Sequence, residues 1–197
     1  MRVLNVHVPR TGGTSIAGQL QVQMGERFLG DFKHDAVGGE FNSLKWPENY
    51  DTIMGHFRPE TYTGADMMVT WLRHPVDLVP SLYQLWRNMI PIHPIQKALH
   101  EQKPELLTFA AWDAIQHWYT KTYFGGFDMK KFGFIGCFER READLAKLAK
   151  LLAVKLDPAV RDNARKRPME VTNGMKKDLA KLLADDIKFY KEHIRAT

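Results

Sequence analysis

One cysteine, Cys137, stands in a chain of 197 residues. A single thiol excludes an intrachain disulfide and cannot build a thiolate metal site. Within FGFIGCF it reads as a buried structural group. Long apolar runs are missing as well. No stretch of about 20 apolar residues is available to cross a bilayer. The opening MRVLNVHVPR is broken by Asn5, His7 and Pro9 and has no extended hydrophobic region of a secretory signal. A soluble, cytoplasmic protein is therefore the expectation. Eight histidines are present, but there is no HExxH and no tight Cys/His cluster, so a zinc hydrolase is disfavoured and no metal is expected. The GxxxxGK[ST] phosphate loop is absent in both its lysine and its glycine spacing, which argues against an ordinary ATPase or GTPase. Zinc-finger spacing, an RNP sequence and internal repeats of fixed period are also lacking.

What is present is an ordinary globular composition, 44% hydrophobic and 26% charged, with a formal charge of +5. The pI of about 9.3 attracts anions without choosing among nucleic acid, acidic lipid, polyanionic sugar or a phosphorylated cofactor. The length suits a single domain over residues 1–197, with roughly 70% of the unfolded surface buried on folding. Residues 2–8 predict a strand and 14–24 a helix. Residues 25–50, rich in glycine, read as a loop region with short elements. Strands are expected at 51–57, 66–72 and 131–136. Helices are expected from about Pro75, over 104–119, over 139–153 and over 175–194, each with apolar residues recurring on one face. Strands separated by helices predict an α/β domain with a mainly parallel central sheet flanked by helices. Ligands in such folds bind beyond the C-terminal ends of the strands.

Two strand-to-helix junctions carry the chemistry. In HVPRTGGTSI, Gly12 and Gly13 allow a tight turn, and Thr14 and Ser15 open a helix whose exposed N–H groups favour an anion. Arg10 adds a charged fork. A plain turn with a helix cap fits the same residues. In TWLRHPVDLVPSLYQLWR, Arg73 starts the junction and Ser81 follows on the helix, so the two could grip one phosphate. The alternative is an Arg73–Asp77 pair and a Ser81 bond to its own helix. His56, in MGHFRP, is a candidate general base, because a neutral imidazole accepts a proton near neutral pH. His7, His34, His74, His93, His100, His117 and His193 compete with it.

Taken together, HVPRTGGTS, VTWLRHPVDLVPSLY and FGFIGCFERREADL resemble, in that order, three motifs of the P-loop-like sulfotransferases that use 3′-phosphoadenosine 5′-phosphosulfate (PAPS). These are the 5′-phosphosulfate loop around PKTGGTS, the 3′-phosphate motif around LRDPxxRxxSxY, and a late strand and turn around FxxVGxxExxxxxL. MGHFR is similar to the GH segment of the glycan 2-O-sulfotransferase branch. The resemblance implies that Arg10, Thr11, Gly12, Gly13, Thr14 and Ser15 hold the donor's phosphosulfate, and that Arg73 and Ser81 hold its 3′ phosphate. It implies that His56 is the base, with Glu139 or His34 in that role if the pocket is arranged otherwise. FKHDA resembles a segment of some bacterial relatives, which makes His34 an acceptor-side candidate. The basic run with Arg165, Lys166 and Arg167 resembles the late loop that closes over the 3′ phosphate, and equally reads as a solvated face. Departures are Arg10 for lysine, His74 for aspartate, Leu78 for arginine, and Met54 where some 2-O enzymes have a second histidine.

The implied reaction is sulfuryl transfer from PAPS, leaving PAP, to a hydroxyl or amine acceptor, with a sugar hydroxyl preferred and no metal required. Two other classes fit parts of the pattern. A nucleotide-dependent kinase or other phosphotransferase would use the same anion cradle. A non-catalytic nucleic-acid module would use the basic run.

Overall fold

The structure, a computed structural model, describes residues 1–37, 43–160 and 169–194. At its centre is β1 (Val3–Val6), whose four residues are all buried. A strand covered on both faces reads as a continuous apolar run, and VLNV departs from that only at Asn5. Asn5 is accommodated by a contact from its amide to the Met54 sulfur at 3.5 Å. On one side β1 pairs with β4 (Thr52–Gly55), which pairs with β2 (Phe28–Asp31). On the other it pairs with β6 (Met67–Leu72), which pairs with β7 (Phe132–Cys137). The order is β2-β4-β1-β6-β7 and every pairing is parallel. Two short strands, β3 (Leu44–Lys45) and β5 (Tyr62–Thr63), form a separate parallel pair.

Alternation along the strands divides the apolar side chains between two layers. Val3, Val69, Trp71 and Phe134 pack with Ile16 and Leu20 of α1 (Gly13–Met24) and with Leu145 and Leu148 of α6 (Arg141–Leu152). Leu4, Val6, Leu72 and Ile135 pack in the larger cluster with α2 (Pro75–Arg87) and the C-terminal helices. α2 buries Val76, Val79, Leu82, Tyr83 and Trp86, close to the apolar face read from the sequence. Pro75 stands at its first position, where a missing N–H costs nothing, and Pro80 inside it removes the bond to the Val76 carbonyl.

Three regions differ from the sequence reading. Residues 28–31, expected within a loop region, are the edge strand β2, whose pattern FLGD is too short to show a period. The expected helix over 104–119 is α4 (Leu106–Ala110), α5 (Asp113–Gln116) and a π-helical turn at Trp118–Tyr123, preceded by α3 (Pro94–Gln102). Asp186 explains part of this break: its carboxylate accepts from the N–H groups of Tyr119 and Thr120 and from the Thr120 hydroxyl, diverting backbone donors from a continuous helix. The expected C-terminal helix is two, α7 (Asn173–Leu182) and α8 (Ala184–Ile194), parted at the buried Leu183. Among the described residues no helix is long and apolar enough to cross a membrane.

Candidate active site

β1, β4, β6 and β7 point their C-terminal ends the same way, and the residues that follow each strand line one cleft of about 1300 Å3. His7, Pro9, Arg10 and residues 12–15 come from the end of β1, His56 from β4, Arg73 from β6, and Phe138 to Arg141 from β7. Ligand sites commonly occupy roughly 300–1,000 Å3, so the space suits more than one substrate.

The first turn is braced from within. Thr11, fully buried, donates its hydroxyl to the Val8 carbonyl at 2.7 Å and does not line the cleft. The sequence reading grouped it with ligand-binding residues; here its hydroxyl is spent on the loop. Arg10 has a φ of 69° and Gly12 a φ of 88°. A left-handed arginine costs backbone energy, and such outliers persist where surrounding structure fixes them. Gly12 stands at the N-cap of α1 without a side-chain cap, so the first N–H groups of the helix lack a side-chain acceptor there. Gly13 is required by close approach: a Cβ on it would sit 2.2 Å from the buried His7 ring. Ser15 donates to the Gly12 carbonyl at 3.1 Å and accepts from Arg141 at 2.9 Å, whereas Thr14 is exposed on the cleft wall.

The second junction meets the first directly. Arg10 Nε donates to Ser81 Oγ at 2.8 Å, and Arg73 Nη1 donates to the Arg10 carbonyl at 3.1 Å. Ser81 thus accepts from Arg10, and Arg73 reaches the same junction through the Arg10 backbone. The Arg73 guanidinium lies over the Phe138 ring at 4.4 Å, and its Nε is buried with no hydrogen-bond partner. Burial disfavours its charge, and the fields of Asp77 and Glu139 offset part of this. Tyr119 fixes the Arg73 backbone by accepting from its N–H at 2.9 Å and donating to its carbonyl at 2.8 Å. An arginine held this way, with an unpartnered buried donor, is suited to an oxyanion.

His56 lies beside His7, ring centroids 4.9 Å apart, with Phe32 edge-on at the same separation. Burial, and then the charge of His93, push its pKa down to about 4. His7 is held well below its ordinary value by burial and by His56. Both rings are therefore neutral near pH 7. Glu139 also borders the cleft, but its oxygens accept from the His74 N–H at 2.8 Å, the Tyr190 hydroxyl at 2.8 Å and the Cys137 thiol at 3.2 Å. Burial would push this carboxyl up; those hydrogen bonds outweigh it and hold it below the usual range. In this arrangement Glu139 is an anchor, because its accepting capacity is already engaged. His34 does not line the cleft. Its Nδ1 is 2.6 Å from Asp31, which also accepts from the Tyr62 hydroxyl. Arg165, Lys166 and Arg167 lie outside the described residues. No group of three His, Cys, Asp or Glu side chains among the described residues is arranged to hold a metal ion.

No family model and no curated protein matches the chain. A solved sulfotransferase from Alicyclobacillus acidocaldarius does match in structure, over 100% of this chain and 96% of that one, at a TM-score of 0.53 and 16% identity. The chain has the sulfotransferase fold. Mouse sulfotransferase SULT7A1, solved with PAP, is a more distant match at a TM-score of 0.39 and 12% identity, covering 95% of this chain and 65% of that one. Within the sulfotransferase fold of this chain, a cleft side chain that sequence reasoning missed is Arg141, while His7, named there only as a competitor of His56, lies against the His56 ring. Arg141 donates to Ser15 and to the carbonyls of Pro158 and Val160. Its signal was its place just beyond the late strand in FERREADL.

Proposed function

We propose that the cleft binds PAPS and catalyses transfer of its sulfuryl group to a hydroxyl acceptor. The observation that carries this reading is the junction Ser81–Arg10–Arg73: two separate strand-to-helix turns, each furnished with a cation and a hydroxyl, meet through direct hydrogen bonds in one cleft. A nucleotide with anionic groups at two ends matches that pair of turns better than a single phosphate does. Arg10 and the residues from Gly12 to Ser15 would hold the phosphosulfate end, and Arg73 with Ser81 the 3′ phosphate. The fold, shared with a bacterial sulfotransferase, supports the same assignment.

The donor supplies the sulfuryl group, and a bond from the acceptor oxygen to sulfur forms as the bond from sulfur to the phosphate oxygen breaks. The left-handed turn and the N-terminus of α1 offset negative charge growing on that phosphate oxygen, as preorganised donors do. His56, neutral and on the cleft wall, takes the proton of the acceptor hydroxyl. Positioning and electrostatics supply most of the acceleration. A carbohydrate hydroxyl is the acceptor class favoured by the MGHFR segment that carries His56.

The test is calorimetric titration with PAP and with ATP, followed by a screen of acceptors with 35S-labelled PAPS. Saturable PAP binding with much weaker ATP binding, and label transferred to a hydroxyl compound, are expected. Equal binding of ATP, or no PAP binding, rejects the reading.

A further inference from the structure

We propose that Asp35 is the positioning residue of His56, itself clamped by His93, so that the His56 ring carries its proton on Nδ1 and offers Nε2 to the acceptor. The inference rests on reading the cleft as a transfer site.

Three loops bring these side chains together. Asp35 follows β2, His56 follows β4, and His93 precedes α3. Asp35 Oδ1 accepts from the Val37 N–H at 2.8 Å. Its Oδ2 faces two imidazoles, His93 Nε2 at 3.1 Å and His56 Nδ1 at 4.0 Å. A carboxylate oxygen has two acceptor sites, so one oxygen can serve both rings. Since an ionised carboxylate only accepts, each nitrogen turned toward it is the one that bears hydrogen. The 4.0 Å separation is longer than a hydrogen bond and is closed by a small rotation of the ring or by one bridging water; such contacts commonly tighten when substrate enters.

The backbone supports the same pairing. The Ala36 N–H donates to the His56 carbonyl at 2.8 Å, which ties the Asp35 loop to the end of the His56 strand. Gln96 accepts from the N–H groups of Ile92 and His93 at 2.9 and 3.2 Å, which fixes the segment that carries His93. Tyr123, whose hydroxyl is buried without a partner, lies near enough to feel the charge of Asp35. His56 is faced by His7 from the end of β1, by Phe32, and by His93. Among these groups Asp35 is the carboxylate that reaches the Nδ1 edge. With that edge turned toward the carboxylate, the lone pair on Nε2 is the one left for an acceptor, the arrangement that a histidine base requires.

The experiment reads the ring directly. Protein labelled with 15N-histidine is examined by long-range proton–nitrogen correlation at pH 7, alone and saturated with PAP. The His56 signal should report the Nδ1–H tautomer, more completely with PAP bound. Asp35→Asn should move it toward the Nε2–H form common in solution, Asp35→Glu should restore part of the Nδ1–H form, and PAP affinity should stay within about twofold in both. His93→Gln should raise the His56 titration midpoint, since it removes a charge that depresses it. A wild-type His56 in the Nε2–H form with PAP bound, which needs no variant to observe, overturns the proposal. So does a tautomer unaffected by Asp35→Asn in a folded protein. If the tautomer depends on Asp35 while wild-type protein does not bind PAP, the positioning contact stands and the transfer reading falls.

Discussion

Arg73 joins the two halves of the cleft at the level of a single side chain. Its Nη1 holds the Arg10 carbonyl, its plane covers Phe138, and its Nε is buried without a hydrogen-bond partner. Arg73→Ala removes a charged donor set worth about 2 kcal/mol in binding, so PAP affinity should fall by roughly 30-fold with the fold retained. Calorimetric titration of the folded variant checks this, and unchanged affinity removes Arg73 from the site. His56→Ala should behave in the opposite sense. Turnover should drop by about 10²- to 10⁴-fold, the range of a general base, while PAP binding is kept. Single-turnover measurements with labelled PAPS separate the two effects. The candidate residues themselves were largely legible in the sequence, because an arginine, two glycines and two hydroxyls at a strand-to-helix turn have few uses. Their individual duties were not. Thr11 and Ser15 share a residue class and differ in role: one is buried against Val8, and the other bridges the turn to Arg141.

At the scale of elements, the first turn depends on how tightly β1 and α1 approach. Alanine is ordinarily favoured over glycine in a helix by about 1 kcal/mol. At position 13 the added methyl meets the His7 ring, and overpacking of this kind costs about 1–3 kcal/mol. Gly13→Ala should therefore lower the urea midpoint, and the same change in a His7→Ala background should not. A double-mutant cycle measures that coupling. Long elements with a clear apolar face, such as α2 and α6, were readable from spacing. β2 and the segment from α4 to the π-helical turn were not. Four residues are too few for a period, and part of the break in the helix expected over 104–119 is set by Asp186, a partner far along the chain.

For the whole molecule, two histidines held neutral, His7 buried and His56 partly so, couple stability to pH. A histidine whose folded pKa lies below its unfolded value binds protons first in the unfolded state, so stability rises with pH through that interval and is lost as pH falls. For His56 the interval runs from 6.5 down to about 4, and His7 acts in the same direction. At about 1.36 kcal/mol per unit, the His56 contribution alone amounts to about 2 kcal/mol lost between pH 6.5 and pH 5. Urea unfolding across that range should show the decline, and His56→Gln should flatten it. A slope identical in the two proteins would remove His56 as its source. The class of the fold was written in the chain: β-rich segments alternating with helices whose apolar residues share a face require a sheet covered by helices, since each face must be buried. Local spacing reaches only a few residues, however. The contacts of Arg10 with Ser81, and of Asp35 with His56 and His93, arise because parallel register brings the ends of β1, β2, β4 and β6 to one side. Sequence by itself determined which chemistry was available; the pairing of the strands decided which groups could touch.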